Sequence, residues 1–113
     1  MSIRTRAVAI GVATAAALAL SAAPALAQKA YTVTTSKQNP YAFNGMPKTL
    51  KPGTYTFKYV NNSGIEHNLR VGNTATPVFS RGSKTIKVNL KKGTVKYECT
   101  PHDTVMKGTI TVT

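Results

Sequence analysis

Lys92-Gly93-Thr94-Val95-Lys96-Tyr97-Glu98-Cys99-Thr100-Pro101-His102-Asp103-Thr104-Val105-Met106-Lys107-Gly108-Thr109-Ile110-Thr111-Val112 is the stretch that decides how this chain reads. Lys91-Lys92-Gly93 is a turn. From Thr94 to Cys99 apolar and polar residues alternate, which sets Val95, Tyr97 and Cys99 on one face of a strand. From Lys107 to Val112 the alternation returns, with Ile110 and Val112 on the inward face and the threonines outward. Between the two strands a loop holds an imidazole and a thioether. With Cys99 at its edge, three potential metal donors fall within eight residues.

Upstream, the same period of two continues. Tyr31 to Thr35 reads as a first strand, interrupted at Asn39-Pro40, with Tyr41 to Asn44 resuming it before a break at Gly45-Met46-Pro47. Lys51-Pro52-Gly53 is a turn into Thr54 to Val60, where Tyr55, Phe57 and Tyr59 share one face. Asn61-Asn62-Ser63-Gly64 is a turn cluster. Ile65 to Val71 is expected as the next strand, Gly72 to Pro77 as a loop, and Ser83 to Leu90 as a strand with Ile86, Val88 and Leu90 inward. No segment carries a helical period. The expectation is an all-β domain, a sandwich or small barrel of about six to eight strands.

His67 shares parity with Ile65, Leu69 and Val71, so it is expected to point into the core. A histidine there must be hydrogen-bonded or metal-bound. Taken singly, Cys99 is a small hydrophobe, His67 a bonded core residue, His102 an exposed loop residue and Met106 core filler. Taken together, the chain's one cysteine and two histidines all fall where one site needs them. Two imidazoles, a thiolate and a weak axial thioether form the ligand set of a blue-copper site. A Cys–His nucleophile would want a third residue to orient the histidine, and the pleated chain offers little substrate cleft, so the reading is not that of an enzyme. Structural zinc would prefer more Cys or His and no Met.

Met1 to Arg6 carries two arginines, Ala7 to Ala27 is free of charge, and Ala25-Leu26-Ala27 ends in a small-x-small pattern. This order is that of a secretory signal peptide, with cleavage expected after Ala27. The alternative is a retained anchor, since 21 residues can just span a bilayer. Residues 28–113 then form a single domain with no stable membrane insertion, in the periplasm or secreted. Without Arg4 and Arg6, 13 of the 15 basic residues remain against Glu66, Glu98 and Asp103, a net of +10. The lysines are scattered without stacking aromatics among them, which excludes a nucleic-acid stripe and favours acidic partners such as anionic cell-envelope polymers or an acidic protein. One cysteine allows no internal disulfide, so a metal is the natural staple for a domain this small.

Three stretches resemble the cupredoxins, the plastocyanin, azurin, pseudoazurin and amicyanin group. Leu50 to Phe57 resembles that family's turn into a long strand, and Asn61 to Val71, with Glu66-His67-Asn68-Leu69, resembles its first ligand segment. Lys92 to His102 with Met106 to Val112 resembles its second. The resemblance implies a Greek-key β-sandwich and one copper cycling between Cu(I) and Cu(II). It makes His67, Cys99 and His102 equatorial ligands, Met106 the axial one, and Asn68 the residue that ties the two ligand segments by hydrogen bonds. Three residues separate His102 from Met106, against four in plastocyanin-like and two in amicyanin-like members. The implied function is one-electron transfer by a monomer to a redox partner that is acidic at its docking face. Pro101, Val105, Met46, Pro77 and Phe79 would rim His102. Copper storage or delivery with the same ligands, and a metal-free cationic interaction domain, are the alternatives.

Overall fold

The computed structural model describes residues 29–113, so the expected signal segment lies outside the described residues. Eight strands follow in order: β1 (Lys29–Thr35), β2 (Thr49–Leu50), β3 (Gly53–Asn61), β4 (Arg70–Val71), β5 (Thr74–Ala75), β6 (Gly82–Leu90), β7 (Gly93–Glu98) and β8 (Lys107–Val112). They form two sheets, one ordered β1-β3-β6 and one ordered β2-β8-β7-β4-β5. β1 runs parallel to β3, with Val33 opposite Tyr59 and Thr35 opposite Asn61, and β3 runs antiparallel to β6, with Phe57 opposite Ile86. In the second sheet β7 and β8 are antiparallel, with Val95 opposite Ile110 and Glu98 opposite Lys107.

The period of two produces this sandwich directly. In β3 every second residue from Tyr55 to Asn61 is buried, and in β6 Ile86, Val88 and Leu90 are. These faces meet Leu50, Val71, Ile110 and Val112 of the other sheet and Leu69 just before β4. Aromatic edges lock the layers: Phe43 lies 5.4 Å and Phe79 5.5 Å from the Tyr59 ring, both in T-shaped contact, a preferred geometry for ring pairs. Thr35 donates its one hydroxyl proton to the Ala42 carbonyl at 3.0 Å, so at 2.7 Å it must accept from the Tyr59 hydroxyl.

Two expected strands are shorter. Of Ile65 to Val71 only Arg70–Val71 joins a sheet, while His67 forms an isolated bridge to Phe79. The cause is Asn61, buried at the end of β3. Its amide donates to the carbonyls of Ile65 and Phe79, at 2.9 and 2.7 Å, and its oxygen accepts from the Ser63 backbone. The chain is bound into a turn before it can extend. Tyr41 to Asn44 likewise contributes only the Thr34–Asn44 bridge, and the expected Gly72 to Pro77 loop contains β5.

Register puts the ligand-bearing segments at one end. There Asn61 stands opposite Gly82, and Glu98 opposite Lys107, so the chain leaves β3 and β7 toward His67 and Cys99 on the same side.

Candidate metal centre

Cys99 follows β7 and is fully buried, as is His67; His102 is half-buried and Met106 is 1% exposed. The loop between β7 and β8 is folded by its own backbone. Thr100–His102 makes a 3-10 turn with Pro101 in its first positions, where the fixed φ and missing N–H of proline cost nothing. The His102 amide donates to the Cys99 carbonyl at 3.0 Å, and the Val105 and Met106 amides both donate to the His102 carbonyl. The Cys99 amide donates to Met106 at 2.9 Å, closing the loop. Three residues between His102 and Met106 are the number that this closure uses.

The side chains converge. The Nδ1 atoms of His67 and His102 are 3.1 Å apart, and each lies 3.5 Å from the Cys99 sulfur. A point equidistant from these three atoms lies about 2 Å from each, close to the usual lengths of metal–imidazole and metal–thiolate bonds. Two imidazole nitrogens and one sulfur with no bulk between them form a donor set suited to copper. Nε2 of His67 is buried with no hydrogen-bond partner, while its Nδ1 faces the other two donors. The residues present therefore fit a copper ion.

Asn68 joins the two ligand segments. Its Oδ1 accepts from the Thr100 amide at 2.7 Å, and its Nδ2 donates to Thr100 Oγ1 at 3.2 Å. Leu69 is tied through its amide to Thr76 Oγ1 at 3.1 Å. Burial pushes the His67 pKa below its usual 6.5, and the neighbouring His102 adds to this, while the Pro40 carbonyl acts weakly the other way. The Cys99 thiol is pushed up, chiefly by burial; the Asn68 and His102 backbone amides favour the thiolate, and the Glu98 and Asp103 charges oppose it.

The sequence did not single out Tyr41. Its ring meets His102 at 5.1 Å and His67 at 5.9 Å, edge to face in both cases, and it is 46% exposed. It caps both imidazoles from a segment expected as strand, Tyr41 to Asn44, that forms only the Thr34–Asn44 bridge, so the strand reading did not place it at the site. Val78 and Val105, in the segments that follow His67 and His102, are 46% and 64% exposed. Pro77 and Pro101 are also exposed, whereas Phe79 and Met46 pack against the core.

A β-sandwich with two imidazoles and a thiolate gathered at one end is an arrangement similar to that of the blue-copper proteins, and comparison with known proteins finds the same likeness. The family model for copper binding proteins, the plastocyanin/azurin family, matches residues 72–113, the part that carries Cys99, His102 and Met106. Auracyanin B shares the fold with a TM-score of 0.63 at 22% identity, over 75% of this chain and 88% of its own. Reduced rusticyanin does so with 0.63 at 17%, over 77% and 81%, and amicyanin from Paracoccus versutus with 0.54 at 22%, over 74% and 81%. Among curated proteins, none matches the sequence.

Proposed function

We propose that this chain is an exported type 1 copper protein and a one-electron carrier, with His67, Cys99 and His102 as equatorial ligands and Met106 as the axial one. The observation that carries the reading is the triangle of two Nδ1 atoms and one sulfur, with edges of 3.1 and 3.5 Å, buried at one end of a cupredoxin fold. Copper bound there supplies a centre that gains and loses one electron. The chain does the rest. His67 and Cys99 exclude water, and the Asn68–Thr100 bonds hold the two segments in fixed relation, which keeps the donor positions alike in both oxidation states. His102 is the half-buried member of the triangle, so its ring edge is the route by which the centre is in touch with a partner. The reading leaves no substrate site and no catalytic residue.

The redox partner meets the apolar rim of Pro101, Val105, Val78 and Tyr41. Long-range attraction to an acidic partner comes from the net positive charge, while the rim itself has mixed neighbours, Glu66 and Asp103 beside Arg81 and Lys107. The chain acts as a monomer in the periplasm or outside the cell.

The test is an absorption and spin-resonance spectrum of the protein with one equivalent of Cu(II). An intense visible band that is lost in Cys99→Ser supports the assignment. A colourless copper-loaded protein sinks it. Very slow electron self-exchange with ready copper transfer to a metal-free acceptor would replace the carrier by a delivery role at the same ligands.

A further inference from the structure

The chain has three acidic residues in all, and each adjoins one of the converging side chains: Glu66 precedes His67, Glu98 precedes Cys99 and Asp103 follows His102. The other end of the sandwich has none. Register places four lysines there. Lys29 begins β1 opposite Tyr55; Lys51 lies just before β3 and Lys91 just after β6, whose ends pair as Gly53 with Leu90. Lys92 immediately precedes β7. All four are exposed. Lys29 and Lys51 border one surface depression together with Tyr31, Leu50 and Tyr55, and Lys91 and Lys92 border another. The molecule is electrically polar along its strands.

The chain also leaves the described fold at this end. Lys29 is the first residue of β1, and the sequence before it contains the charge-free run from Ala7 to Ala27. We propose that the end bearing Lys29, Lys51, Lys91 and Lys92 seats on the anionic headgroups of a lipid bilayer and holds the His102 end away from it. A retained N-terminal segment would bring this end, and no other, to the membrane; a cleaved one would leave the lysines to hold it alone. Lysines that share the border of a depression with tyrosine and leucine, their ammonium groups free to enter the headgroup layer, suit a boundary between lipid and water. Nine-residue β3 spans about 30 Å, which sets the metal end well clear of the surface and open to a partner. The seat does not depend on whether copper binds.

The purified chain is mixed with vesicles of phosphatidylcholine alone or with phosphatidylglycerol, and lysine acylation is mapped residue by residue. Lys29, Lys51, Lys91 and Lys92 are expected to be protected on anionic vesicles only, with Lys58, Lys84 and Lys107, farther along the strands, still reactive, and protection is expected to fade at high salt. Replacing the four by Gln is expected to weaken partition onto anionic vesicles about a hundredfold; replacing Lys58, Lys84, Lys96 and Lys107 by Gln should change it by less than about fivefold. Protection spread evenly over all lysines, equal losses in the two variants, or protection by soluble polyphosphate but not by vesicles would overturn the proposal. The acylation map of the unsubstituted protein decides the matter independently of the variants.

Discussion

Asn68 shows how much one side chain can carry at the residue scale. It is 5% exposed, lies against the parity of its segment, and satisfies the Thr100 amide at 2.7 Å. Asn68→Ala leaves that amide without its acceptor, at an expected cost of about 1–3 kcal/mol in urea unfolding. The same change frees the Cys99–His102 turn, so copper affinity, read by competition with a chelator, is expected to fall about 10- to 100-fold. A variant that loses stability but keeps its copper affinity would show that the bond serves only the fold. Tyr59 is a second case, with its hydroxyl donated to Thr35 in the core. Burial is the main reason its pKa is pushed up to about 12; the hydrogen bond to Thr35 acts against that.

At the scale of elements, alternation was readable wherever strands are long. β3, β6, β7 and β8 lie within a residue of their expected limits, because β3, β6 and β8 bury a face of Tyr, Phe, Ile, Val or Leu and β7 packs the partly buried Val95 and Tyr97 against the same core. It failed where side-chain hydrogen bonds outbid the ladder. The pattern from Ile65 to Val71 is sound, and His67, Leu69 and Val71 are indeed buried, but Asn61 and Ser63 bind the preceding turn and Asn68 turns inward to Thr100. The convergence of His67, Cys99 and His102 was legible from parity and spacing. The cap of Tyr41 was not, since Tyr41 to Asn44, expected as strand, is a loop held by a single bridge, and the cap depends on where that loop comes to rest. That loop turns at Gly45, whose φ of +94° is one that other residues rarely adopt, and a Cβ there would stand 2.6 Å from the Thr32 carbonyl oxygen. Gly45→Ala is therefore expected to destabilise by about 2–3 kcal/mol, measured by thermal unfolding. A neutral result would mean that the loop can turn elsewhere.

At the scale of the whole molecule, metal-free stability should depend on pH in a definite sense. His67 has its folded pKa below the usual 6.5, so its contribution is present above 6.5 and is lost as pH falls through the folded value. Cys99 and Tyr59 are raised from 9.0 and 10.0, so theirs are present below those values and are lost as pH rises through the folded ones. The urea midpoint is expected to be highest between about pH 6.5 and 9, with His67→Gln flattening the acid limb. A midpoint that climbs steadily through pH 10 would contradict the burial of both hydroxyl and thiol.

Copper should add to this stability. A metal that binds only the folded chain, at a thousandfold excess over Kd, stabilises by about 4 kcal/mol, which in a domain of this size raises Tm by about 15–30 °C. Removal by a chelator should reverse the rise, and an unchanged melting curve would argue against a preformed triangle of donors.

The loop between β7 and β8 sets a limit in time as well as in space. Cys99, His102 and Met106 all follow His67 by more than thirty positions, and Leu50 of β2 needs Val112 of β8 beside it. While the chain is being made, or is passing any narrow opening N-terminus first, it owns a single imidazole of the set and an unfinished sheet. The three donors can come together only after Cys99 and His102 have followed His67, in whatever compartment those later residues arrive. The order of the letters thus decides which metal pool the protein samples.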